Sequence, residues 1–171
     1  MDHSFLWYSA RCGISIAVSI PVSHTVMWRI LIICCLGLSL STCQRTTLPQ
    51  GVLTGCGPRL RLDIVSTHAD RQKGLMHQTE LPDNYGMLFV FKEDTQPAFW
   101  MRDTPLALDV VFMRVDGTIV QISAMQPNTD TAHEALTPIR YALETPQGWM
   151  IRHGVRVGDQ CSIQLPAITI E

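Results

Sequence analysis

The chain has 171 residues, 46% of them hydrophobic, with 13 Lys and Arg against 15 Asp and Glu. A net charge of −2 with no basic stripe argues against nucleic acid as a partner. Six cysteines in this length raise the question of the compartment in which the chain folds.

Residues 1–26 carry no basic cluster. Met27-Trp28-Arg29 then makes a short n-region before the apolar run at residues 30–40, followed by Ser41-Thr42-Cys43. A membrane-crossing helix needs about 20 apolar residues, so this run is too short and suits the h-region of a secretory signal. Leu40-Ser41-Thr42-Cys43 looks like a lipobox, in which the cysteine becomes the lipidated first residue of the mature chain, although Thr42 departs from the usual Gly, Ala or Ser. The expected organisation is an upstream extension at residues 1–26, translation from Met27, a signal at 27–42, a lipidated tether at 43–58 beginning at Cys43, and one β-rich domain at 59–171. Ordinary cleavage nearby and an uncleaved membrane anchor are the alternatives. The lipid reading places the domain in a bacterial cell envelope, held to a membrane and facing the periplasm or the exterior.

From Cys43 onward, 129 residues remain, enough for one modest domain, with 11 Lys and Arg against 14 Asp and Glu. Cys12, Cys34 and Cys35 lie upstream, which leaves Cys56 and Cys161. In an oxidising envelope these two are a disulfide candidate, with two free thiols as the alternative. No Cys-x-x-Cys or Cys/His pair has zinc spacing.

Along the domain, residues 44–58 have no sustained periodicity and read as the tether. Residues 59–65 alternate strictly, as a half-buried strand does. Thr67 with Asp70 opens a short helix at about 69–75, which Gly74 weakens at its end. Residues 81–86 form a loop by turn chemistry, 87–91 a buried strand, and 92–97 a turn. A short strand at 98–101 and a longer one at 109–115 follow. Asp116-Gly117 is a hairpin signal, with the return strand at 118–125. The polar stretch 127–138 is long enough to be a functional loop or lid. Residues 141–144 form a strand, 147–153 a short helix capped by Gly154, and 161–165 the last strand. The sum is an α+β, mostly β domain with two short helices.

Specific pieces of the chain resemble the domain of unknown function 192 family. They are Arg71 with Gly74-Leu75-Met76, Gly86-Met87-Leu88-Phe89-Val90-Phe91, Phe99-Trp100-Met101-Arg102-Asp103-Thr104, Leu108-Asp109, Asp116-Gly117, Tyr141-Ala142-Leu143-Glu144, Gly148 and Gly158-Asp159. The resemblance spans residues 59–165 and implies a small curled, barrel-like sheet, often secreted or lipid-anchored, without implying a reaction. The family usually has Asn where this chain has Asp103. An amide donates and accepts, whereas an ionised carboxylate only accepts, so a ligand oriented there would meet different chemistry.

The residues best suited to chemistry are Arg71, Trp100, Arg102, Asp103, Asp109 and Glu144. Asp103 and Asp109 flank a proline-containing turn, so their carboxylates could face one cleft, a point the sequence leaves open. Paired carboxylates divide acid and base work when their environments differ. Trp100 could stack on a ring, and Arg71 or Arg102 could hold a carboxylate or phosphate bidentately. The structural alternatives are an Asp109 turn cap, an Arg71–Glu144 bridge and a core Trp100. Met76, Met87 and Met101, with His77, form a weaker set of soft ligands suited to Cu(I), although methionine also fills core gaps. His133 and Glu134 fall short of the three protein ligands of a catalytic zinc. Gly-x-Ser-x-Gly and phosphate-loop motifs are missing from the sequence, and no cofactor is expected. Four readings follow. The leading one is a domain that binds a small ligand or envelope protein in a Trp/Arg/Asp-rimmed cleft. The others are a hydrolase or carbohydrate-acting enzyme using Asp103, Asp109 or Glu144, a periplasmic copper protein, and a scaffold.

Overall fold

Strictly alternating and wholly apolar segments take different places in one sheet of this domain. The computed structural model describes residues 47–171, so the readings for the start at Met27, the signal and Cys43 lie outside the described residues. The elements in order are β1 (Gln50–Thr54), β2 (Leu60–Val65), α1 (His68–Lys73), β3 (Tyr85–Thr95), β4 (Ala98–Phe99), β5 (Leu108–Met113), β6 (Ile119–Met125), β7 (His133–Glu134), β8 (Ile139–Pro146), α2 (Trp149–Arg152) and β9 (Ser162–Gln164). Seven strands form a mixed sheet in the order β6-β5-β8-β3-β2-β1-β9, while β4 and β7 pair separately. The one parallel pair, β2 with β3, is connected through α1, as parallel neighbours require a crossover.

β5 and the first half of β3 are covered on both faces, which is why Met87–Val90 and Val110–Met113 read as continuous apolar runs rather than alternating ones. Leu88, Val90, Val111 and Leu143 pack with Trp149 and Met150 of α2 on one face. Met87, Phe89, Val110, Phe112 and Ala142 pack with Leu75, Phe99 and Met101 on the other.

The sheet curls until its two edges meet at one end without closing into a barrel. Thr118, entering β6, bridges Gln160, just before β9. Around it, Cys161 N–H donates to the Gly117 carbonyl at 3.0 Å and Ile119 N–H to the Asp159 carbonyl at 2.9 Å. Cys56 and Cys161 form a disulfide with their Cα atoms 4.8 Å apart, beside the β1–β9 pairing.

The fold is mostly β with two short helices, as expected, but four local readings change. The tether reading of residues 44–58 fails at Gln50–Thr54, which form β1 between β2 and β9. The turn expected at 92–97 gives way to β3, which continues to Thr95 with a register shift after Val90. The loop at 127–138 contains β7. The second helix is shorter than expected and is capped at His153, with Gly154 next in a left-handed conformation. Among the described residues no helix is long and apolar enough to cross a membrane.

Candidate functional site

One cleft opens on the sheet face that carries Met87 and Phe89, between α1 and the segment following β4. Its volume is about 220 Å³. Leu75, Met76, Phe89 and Phe99 supply apolar lining, Trp100 stands at the rim, and Thr104 and Glu144 add polar atoms. Thr67 caps α1 by accepting from Asp70 N–H, and Gly74 ends the helix at φ 46° with its N–H donated to the Asp70 carbonyl. That sharp exit turns Leu75 into the apolar cluster and Met76 to the cleft wall. A side chain at Gly74 would also approach the Phe89 ring, with its Cβ 3.4 Å from the ring edge.

Glu144 is the chemical centre of this cleft. On β8 it lies opposite Met87 of β3 and Val110 of β5, and side chains of directly paired residues share a face. The residue is 5% exposed, and its Oε2 has no hydrogen-bond partner. Burial without a compensating charge pushes the carboxyl up to about 8, so it is a neutral acid at pH 7. A neutral carboxyl offers one donor as well as acceptors. Thr104, also buried, donates its hydroxyl to the Arg102 carbonyl at 3.1 Å.

Of the six site candidates, Arg71, Trp100 and Glu144 line the cleft, whereas Arg102, Asp103 and Asp109 do not. Trp100 is 49% exposed, with the Arg102 guanidinium 5.6 Å from its ring centre. Arg71 is a pin for the chain: Nη1 donates to the Ser66 and Val90 carbonyls and Nη2 to the Glu171 carbonyl. The bidentate ligand clamp and the Arg71–Glu144 bridge are therefore both replaced by backbone contacts. Arg102 pairs with Asp130 at 2.9 Å on the exposed surface.

Whether Asp103 and Asp109 share a cleft was open in the sequence, and neither lines this one. Asp109 pairs across strands with Thr145, one residue out of step with Glu144, and so faces the opposite side of the sheet. There it accepts from Gly148 N–H at 2.8 Å at the entry to α2. Burial raises its pKa, against the lowering effects of that hydrogen bond and of Arg152. Asp103 sits at φ 53°, and its carbonyl accepts from His77 N–H at 2.7 Å. Asn and Asp are the side chains that best tolerate this left-handed conformation, so the exchange of one for the other has a backbone explanation.

The methionine set does not converge on an open site either. Met101 is 0% exposed and packs with Met87 in the apolar cluster, and only Met76 lines the cleft. Among the described residues no three His, Cys, Asp or Glu side chains are placed to hold a metal. Sequence reasoning passed over Thr104 and Phe89 as site residues. Glu144 was already among the candidates, and its signal is an acid two residues from Ala142, on the same face of β8 and in its buried stretch.

A family model described as DUF192, Uncharacterized ACR, matches residues 52–163, and the chain belongs to that family. No curated protein matches it. A crystal structure of a protein of unknown function from Novosphingobium aromaticivorans DSM 12444 is similar, with 32% identity and a TM-score of 0.61 over 66% of this chain and 83% of that one. A second, from Sinorhizobium meliloti 1021 and described as a candidate transcription regulator, has 31% identity and a TM-score of 0.62 over 67% of this chain and 92% of that one.

Proposed function

We propose that this domain is a binding module that takes a small ligand into the cleft above Glu144. One observation carries the reading: a buried carboxyl with an unpartnered oxygen lies at an open, aromatic-rimmed cavity. An orphaned buried polar atom is costly, and such groups concentrate where a site has a use for them. The cleft is mostly apolar with few polar atoms, the composition of a small-ligand site.

A second reading uses the same carboxyl. A glutamic acid that stays protonated near neutrality has the form of a general acid, as a hydrolytic or carbohydrate-acting enzyme would need. The binding reading comes first because Asp103 and Asp109, the carboxylates proposed as partners, lie outside the cleft lining. The neighbour's description as a transcription regulator is not carried over, since a net charge of −2 gives no electrostatic attraction to nucleic acid. For location, we propose an envelope lipoprotein anchored through Cys43. The Cys56–Cys161 bridge supports an oxidising compartment.

Native mass spectrometry of the chain purified from its own membranes tests both proposals. Bound extra mass that disappears in Trp100→Ala and Glu144→Leu, with folding intact, supports the module. A bare wild-type domain overturns tight binding. A diacylglyceryl mass on the mature N-terminal residue at Cys43 supports the anchor, and a mature chain that begins elsewhere or lacks lipid overturns it.

A further inference from the structure

The charged groups around the cleft restrict what can sit in it. Apart from Glu144, its ionisable lining is basic: His68, Arg71 and Lys73. A ligand ammonium drawn toward Glu144 would pass two groups of its own sign, Arg71 and Lys73. A ligand carboxylate would be attracted at the mouth, but at the floor it would be an unpaired buried charge. Arg71 cannot simply turn to meet it, because both terminal nitrogens already hold backbone carbonyls. A neutral head group avoids both penalties. A ketone or ester would use only the donor of a protonated carboxyl, whereas an amide accepts from its O–H and donates to its C=O.

The rest of the cavity fits an apolar body. Leu75, Met76, Phe89 and Phe99 form the walls, and Trp100 at the rim offers a stacking face. At about 220 Å³ the cavity is smaller than the roughly 300–1,000 Å³ of drug-sized sites, which suits one ring or a short chain with its head group. Resting on the binding reading above, we infer that the ligand is a small neutral amide with an apolar ring or short-chain body, paired amide-to-carboxyl at Glu144. The protonated state of Glu144 at neutral pH is the state this pairing needs.

Benzamide, benzoate and benzylamine share a ring and differ only in the head group. Each is titrated at pH 6.5 into the full-length chain in detergent, labelled with [15N]tryptophan, with the Trp100 indole signal assigned from Trp100→Phe. Benzamide is expected to shift that signal at about tenfold lower concentration than the other two, the size of one well-made hydrogen bond. Glu144→Leu should remove the preference, whereas Glu144→Gln, which keeps a donor and an acceptor, should retain most of it. Tighter binding of benzylamine or benzoate overturns the amide assignment and leaves the cleft reading standing. So does a benzamide preference that survives Glu144→Leu. Should the Leu variant fail to fold, the ranking of the three probes on the wild-type chain still decides. If none of the three moves Trp100, the cleft reading itself falls.

Discussion

At the scale of single residues, Glu144 sets both the chemistry of the cleft and a dependence of stability on pH. Its carboxyl is pushed from 4.5 up to about 8 by burial. Below pH 4.5 it is protonated whether the chain is folded or not, and its effect on stability is nil. Between 4.5 and 8 the unfolded chain releases a proton that the folded chain keeps. Stability is therefore lost as pH rises through this window, by up to about 1.4 kcal/mol per pH unit, and levels off above it. Glu144→Gln removes the titration while keeping the shape. Its denaturation midpoint should match wild type at pH 4 and exceed it increasingly toward pH 8. Asp109 has a raised pKa as well and contributes the same sign, but it is present in both proteins, so the difference curve isolates Glu144. Parallel curves for the two proteins would mean that Glu144 is ionised and satisfied in the fold.

At the scale of elements, the hairpin between β5 and β6 holds the seam of the curled sheet. Gly117 has φ 83°, and a Cβ there would overlap the Cys161 carbonyl oxygen. Gly117→Ala should lower stability by about 2–4 kcal/mol, combining left-handed strain with overpacking. Gly158→Ala is the control, because Gly158 also has positive φ but nothing lies within 4 Å of its would-be Cβ. Chemical denaturation should show the smaller loss there; equal losses would leave the seam without a special role. This hairpin was legible, since Asp116-Gly117 between apolar runs is a local signal. So were β2, through its alternation, and α1, through Thr67 and Asp70. β1 was not, because Gln50-Gly-Val-Leu-Thr is short and interrupted, and its partner β9 is more than a hundred residues away in sequence. The separation of Asp109 from Glu144 was equally hidden. It depends on which residue of β5 faces which residue of β8, and a shift of one reverses every side chain. The cleft walls come from α1, β3 and β4 at once, so no local pattern announces them.

At the scale of the molecule, the Cys56–Cys161 bond closes a loop of sequence separation 105 around nearly the whole domain. Chain entropy assigns such a loop up to about 4–5 kcal/mol, so Cys56→Ala with Cys161→Ala should show a comparable fall in unfolding free energy by denaturant titration. A loss near zero would mean that sheet pairing alone sets stability. The position of β1 adds a mechanical consequence. It is an interior strand, flanked by β2 and β9. Tension entering from its N-terminal side must break two ladders, to β2 and to β9, where an edge strand would hold by one. With the bond intact, the segment between the two cysteines cannot extend even after those ladders fail. About 350 Å of contour, at roughly 3.3–3.6 Å per residue, stays out of reach of the pull until the bond is reduced. A domain hung from a surface by its front end would then yield to force in two lengths, a short one under oxidising conditions and a long one under reducing conditions.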